Sequence, residues 1–271
     1  MTRRTYQTSP RAERIRNHLT PLDRRLVETL ATVTYATTQQ LQELTLPLEQ
    51  DPARARRIRR RLAHLADLEV AYQHQRKVGG YGGGSRGSTW TLERTGYAIS
   101  SQPTPHHDLR PARERGLAFL THALAVTQHR VDLERYARQR GAEVASWVAE
   151  PASRIPYHDP STGRLAYLTP DALCEVWTDG ELLVSALEVD RGTEGRTTLE
   201  RKAARYIAYA ARHPEAPQVV WSFTTPQRAG MFTDAINRTF RQPAIAALLD
   251  RGLFVMTISD RAAAALCGDA S

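Results

Sequence analysis

The chain predicts two mixed α and β domains: a basic helical module closed by a β-hairpin, then a mixed β-sheet flanked by helices. Three observations predict this. The 271 residues exceed the roughly 100–200 of a single domain. Residues 1–77 hold 15 Lys/Arg against 8 Asp/Glu, a net of +7, whereas the remainder holds 22 against 21. Helical apolar spacing fills the first third, and strand-like runs alternate with helical ones in the second half.

Residues 1–20 are polar and Arg-rich and are expected to be a flexible basic arm. A first helix is expected from Pro21, with Leu22, Leu26, Val27, Leu30 and Val33 on one face. Thr37 and Thr38 have the chemistry of N-caps for a short helix, Gln39–Leu46, that turns Leu41 and Leu44 inward. After Pro47 and Pro52 comes a third helix near Ala53–Leu68, with Ile58, Leu62, Leu65 and Leu68 on one face. Its other faces carry Arg54, Arg56, Arg57, Arg59, Arg60 and Arg61. Two extended runs, Val70–Lys77 and Ser88–Leu92, flank a loop with six glycines between 79 and 87. Three helices followed by a hairpin describe a winged helix spanning 21–95, whose third helix is the one suited to a major groove. Residues 96–112, rich in proline, read as a linker, and the adjacent His106 and His107 within it as exposed side chains rather than a metal site.

The back domain, 113–271, opens with a long helix near Arg113–Gln139 and a strand at Val144–Val148. Tyr167–Trp177 and Leu182–Val189 read as strands joined by a turn centred on Asp179-Gly180. Helix Thr197–Arg212, strand Gln218–Thr224, helix Gln227–Arg238 and strand Leu253–Ile258 follow. An early hairpin combined with later strand–helix alternation points to a mixed sheet, not a parallel one.

The segregated positive field reads as a polyanion-binding surface, and double-stranded DNA is the expected partner. Arg54, Arg56, Arg57, Arg60 and Arg61 on the third helix, with Lys77 and Arg86 on the hairpin and its tip, are the expected DNA contacts. The competing reading of the arginine row is a solvated helix face. Membrane-surface binding is disfavoured because the basic segment lacks a bulky apolar face. No apolar run reaches the roughly 20 residues of a membrane span, and none follows Met1-Thr2-Arg3-Arg4, so a cytoplasmic location is expected. Cys174 and Cys267 are the only cysteines, too few for a zinc site without histidines at ligand spacing.

Carboxylates cluster where the predicted hairpin ends. Asp171 follows Pro170 at the start of one strand, Glu188 and Asp190 end the next, and Glu194 lies on the loop beyond. Such a cluster suits a hard cation, Mg²⁺ or Mn²⁺, with Asp171, Glu188 and Glu194 as metal ligands. Lysine occurs only at 77 and 202. Lys202, one to two turns into the following helix, is placed to act as a compact charge beside a metal-activated water. The competing reading of Asp190–Glu194 is a helix start favoured by capping and the helix dipole.

Pro170-Asp171 and Glu188-Val189-Asp190 resemble the Pro-Asp…(Asp/Glu)-x-Lys signature of the restriction-endonuclease-like nucleases. Leu187–Glu194, with Leu199, Lys202 and Tyr206 behind it, resembles the replication-relaxation family of plasmids and integrative elements, and a winged-helix front fits that family too. The resemblance implies a metal-dependent endodeoxyribonuclease with Asp171, Glu188, Asp190 and Lys202 as catalytic residues, acting in plasmid replication, relaxation or mobilisation. Asp190 stands where the signature wants lysine, so Lys202 would have to supply the ammonium from the helix. Two alternatives stay open: a non-catalytic regulator or replication initiator with a nuclease-like scaffold, and a transposase-associated or restriction endonuclease. A homodimer is also left open.

Overall fold

A computed structural model describes residues 10–47, 52–74, 88–101, 116–159 and 162–269. The chain divides into two compact units, 1–131 and 132–271. Among the described residues no helix is long and apolar enough to cross a membrane.

The first unit contains α1 (Pro10–His18), α2 (Pro21–Val33), β1 (Ala36–Thr37), α3 (Thr38–Thr45), α4 (Arg54–Asp67), β2 (Ala71–His74), β3 (Thr89–Leu92) and α5 (Arg94–Ile99). Strands β1, β3 and β2 form an antiparallel sheet with β3 in the middle. Threonine caps set two of the helix starts. Thr20 and Asp23 form a capping box on α2, and Thr37 and Gln40 form one on α3. Leu26, Leu30, Leu41, Ile58, Leu62 and Leu65 are fully buried, so the apolar faces expected on the three helices are the ones that pack.

Two expectations are corrected here. Residues 10–18 of the expected arm form helix α1; Ala12 is buried and Arg11 bonds Glu69 at 2.6 Å. The expected linker begins inside α5, where Tyr97 and Ile99 are buried, and Ser101 donates its backbone N–H to Glu28 at 2.8 Å. The remainder of the linker, with His106 and His107, and the glycine loop lie outside the described residues. Gly96 explains why α5 docks so closely. A Cβ at this position would stand 2.3 Å from the carbonyl oxygen of Val70 and 2.9 Å from a Leu92 methyl. Because the nearest atom is backbone, Gly96→Ala is expected to cost about 2 kcal/mol or more, read as a lowered urea midpoint. Unchanged stability would mean that α5 is not held against β2 and β3.

Helix α6 (Leu117–Arg140) starts within the first unit. There Leu120 packs on Tyr35, and Thr127 donates its hydroxyl to the Tyr35 carbonyl at 2.6 Å. The second unit continues with β4 (Glu143–Ala149), β5 (Ile155–His158), β6 (Leu165–Leu168), β7 (Ala172–Thr178), β8 (Glu181–Asp190), α7 (Arg196–Ala210), β9 (Gln218–Phe223), α8 (Pro226–Thr239), α9 (Pro243–Asp250), β10 (Phe254–Ile258) and α10 (Ala262–Leu266). Its main sheet has the order β10-β9-β8-β7-β4. β4, β7 and β8 pair antiparallel, while β8 and β9 pair parallel through α7, and β9 and β10 through α8 and α9. The sheet is therefore mixed, as expected. Asp179 and Gly180 both take positive φ, 50° and 85°, in the two-residue turn between β7 and β8.

The single strand expected over Tyr167–Trp177 is two strands. β6 pairs with β5 in a separate two-stranded sheet, and β7 begins only at Ala172. Pro170, which has no N–H to give a ladder, stands at the break. Leu199, Ala203, Tyr206 and Ile207 of α7, with Phe232 and Ile236 of α8, form one core with Ala186 of β8 and Val219, Trp221 and Phe223 of β9. The strand residues in that set alternate, so β8 sends Ala186, Glu188 and Asp190 to the same face of the sheet.

Candidate functional site

The antiparallel register pairs Ala172 with Leu187, and one step further sets Asp171 opposite Glu188 on the helix-covered face. Asp171 is held there by accepting the backbone N–H of Val189 on its Oδ2, at 2.7 Å. Glu188 is 2% exposed. α7 meets it with two side chains one helical turn apart. Lys202 Nζ lies 3.1 Å from Glu188 Oε2, and the Tyr206 hydroxyl donates to Glu188 Oε1 at 2.7 Å. The same ammonium lies 3.2 Å from Glu194 Oε1. Four residues thus converge: Asp171, Glu188, Glu194 and Lys202. Tyr206, which the spacing on α7 predicts to border the same pocket, supplies the fifth.

Burial dominates the electrostatics. Removal from water, reinforced by the neighbouring charge of Asp171, pushes Glu188 up to about 7, against the pull of Lys202 and Tyr206. Burial works against the Lys202 charge, yet Glu188, Asp171 and Glu194 together hold its ammonium above the ordinary lysine range. The Tyr206 hydroxyl is pushed well up, first by burial and then by Glu188. Lys202 therefore stays charged, and Glu188 stands near its midpoint at neutral pH.

Asp190 belongs to a different contact. Its carboxylate is bound by the Arg228 guanidinium through both Nε and Nη2, the latter to Oδ1 at 3.0 Å, and Oδ1 also accepts the Gly192 N–H at 3.0 Å. Arg228 further donates to the Glu194 carbonyl. The residue standing where the nuclease signature wants lysine ties the end of β8 to the start of α8. Arg228 carries no sequence signal of this, since only the parallel β8–β9 register brings α8 beside β8.

A Mg²⁺ or Mn²⁺ ion here would have to draw its ligands from Asp171, Glu188 and Glu194. Magnesium asks for near-octahedral oxygen ligands at about 2.1 Å. Both oxygens of Glu188 are engaged by Lys202 and Tyr206, and Asp171 gives one to the backbone. Among the described residues no group of three or more His, Cys, Asp or Glu is arranged to hold a metal ion. In this arrangement the residues do not fit the cation; the ammonium of Lys202 neutralises the acids instead.

In the first unit the α4 arginines divide into two sets. Arg61 donates to buried Asp23, with Nε 2.7 Å from Oδ1, and Arg54 donates to the Leu46 carbonyl at 2.9 Å. These two hold α4 against α2 and α3. Arg56, Arg59 and Arg60 are exposed, and Arg57 is half-buried. Lys77 and Arg86 lie outside the described residues.

A family model described as replication-relaxation matches residues 27–220. No curated protein and no solved structure matches the chain.

Proposed function

The chain belongs to the replication-relaxation family, and from that premise we propose that it is a duplex-DNA-binding protein acting in the replication or relaxation of a plasmid or other mobile element. The observation that carries this reading is the exposed Arg56, Arg59 and Arg60 on α4, within a segment of net charge +7 over residues 1–77. The order α2, β1, α3, α4, β2, β3 supports a winged helix, with α4 presented to the major groove and its arginines to phosphates and guanine edges. The second unit is read as a nuclease-like scaffold whose acidic centre is closed by Lys202.

A second reading, phosphodiester cleavage, is favoured by one observation: Asp171, just before β7, falls by register opposite Glu188 of β8, with the Lys202 ammonium on Glu188. One experiment addresses both. The full chain is titrated against duplex DNA at several salt concentrations, then incubated with supercoiled DNA and Mg²⁺ or Mn²⁺. Strong salt dependence is expected, and Arg56→Ala/Arg60→Ala should lower the slope of log K against log [salt] by about 1.8, or 0.9 per lost phosphate contact. Salt-insensitive binding would overturn the proposal. Nicking that Asp171→Ala and Lys202→Ala both abolish, with binding retained, would establish the second reading; tight binding without nicking under either metal would remove it.

A further inference from the structure

The near-neutral charge of the second unit hides a strong internal separation. Residues 191–251, which comprise α7, β9, α8, α9 and their connections, hold ten Lys/Arg against five Asp/Glu. The remainder of the unit, 132–190 and 252–271, holds six against thirteen. The positive half is concentrated on helices. Within α7, Arg201 and Arg205 are exposed and lie one turn apart, and Arg212, just past its end, continues the same stripe at helical spacing. Arg238 at the end of α8 and Arg241 after it are exposed as well. The basic side chains turned inward are otherwise engaged: Lys202 by Glu188 and Glu194, Arg228 by Asp190. Arg196, exposed near the start of α7, is held by Glu200 at 2.7 Å. What remains on the outer face is a row of guanidiniums without a described acidic partner. A solvated helix in a unit with an acidic excess needs no such sorting by sign, whereas a surface that lies along a polyanion does.

We propose that the α7 stripe of Arg201, Arg205 and Arg212 is a second DNA contact of this protein, gripping the phosphate backbone independently of α4. The inference rests on the duplex-binding reading above and adds to it a surface on the other unit. Guanidiniums one turn apart on a helix suit successive phosphate oxygens and read no base edge, so the contact supplies affinity and registration without sequence preference. The acidic half of the unit repels the duplex and so selects the face that docks.

The test compares three double variants of the full chain on one duplex over a salt series: Arg201→Ala/Arg205→Ala, Arg56→Ala/Arg60→Ala, and Arg135→Ala/Arg138→Ala. The last removes the same formal charge from the acidic part of the second unit, where both arginines pair within α6. All six side chains are at least partly exposed, and unchanged melting curves check that each variant folds. The α7 pair is expected to lower the salt slope by about 1.8, with the α6 pair leaving it unchanged. An α7 variant that keeps the wild-type slope while the α4 variant lowers it would overturn this inference and leave the proposed function standing. An equal loss from the α6 pair would also overturn it, by showing a general charge effect. Wild-type binding that is weak and indifferent to salt would remove the duplex-binding reading and this inference with it.

Discussion

Arg61→Ala is expected to destabilise the first unit by about 3 kcal/mol, because it leaves the fully buried Asp23 carboxylate without its guanidinium. Asp23 holds two structures at once. It accepts the Thr20 backbone N–H at 2.9 Å and the Thr20 hydroxyl at 2.6 Å, closing the α2 capping box, while Arg61 ties α2 to α4. Burial raises the carboxyl, but Arg61 and Thr20 outweigh it and hold it below the usual carboxylate range. A depressed acid contributes stability that is present above its unfolded value, near 3.9, and is lost as pH falls through the folded one. Urea midpoints measured down to pH 3 should therefore drop more steeply for wild type than for Arg61→Ala, and the two curves should converge in acid. Equal midpoints at pH 7 would show that Arg61 is a surface arginine after all. In that case the DNA-binding reading would regain a residue that the fold otherwise spends on packing.

The arginine row shows what a sequence can and cannot disclose. Periodicity separates the buried face of α4, with Ile58, Leu62 and Leu65, from the rest of the helix, but it treats every remaining arginine alike. Which of them meets a carboxylate depends on where α2 crosses, and Asp23 is 38 residues away. The same limit applies to the second unit. A carboxylate on each of two hairpin strands is legible from alternation and the Asp179-Gly180 turn, so Asp171 opposite Glu188 could be anticipated, as could the helical spacing of Lys202 and Tyr206. The partner of Asp190 could not, because Arg228 reaches it only through the parallel β8–β9 register. Short elements with weak periodicity, such as α1, α5 and the β5–β6 pair, were hidden for a different reason. Their stability comes from contacts distant in sequence, among them Arg11 with Glu69 and Gly96 against Val70, and local propensity carries little of it.

The acidic centre of the second unit should announce itself in the pH dependence of stability, with a sign opposite to that of Asp23. Glu188 titrates at about 7 in the folded protein, against about 4.3 in an unfolded chain. Between those values the folded state binds the extra proton, so the stability contributed by this group is fullest below about 4.3 and is lost as pH rises to about 7. Every charged or titratable neighbour described at the site acts on this window. Asp171 raises it, Lys202 and Tyr206 lower it, and Glu194 acts indirectly by sharing the Lys202 ammonium. Glu188→Gln removes the ionisation while keeping an oxygen for Tyr206, so its urea midpoint should stay level from pH 5 to 7.5 relative to the falling wild-type curve. Lys202→Met removes the ammonium from a carboxyl that is 2% exposed, so the Glu188 proton should be held to still higher pH. At pH 8 that variant should be less stable than wild type, because its buried Glu188 must take up a proton instead of pairing with the ammonium. The double variant should lose less than the two single changes combined, since each deletes one partner of the same contact. If wild type and Glu188→Gln run parallel across this range, Glu188 does not change its ionisation between pH 5 and 7.5, and the raised titration is overturned.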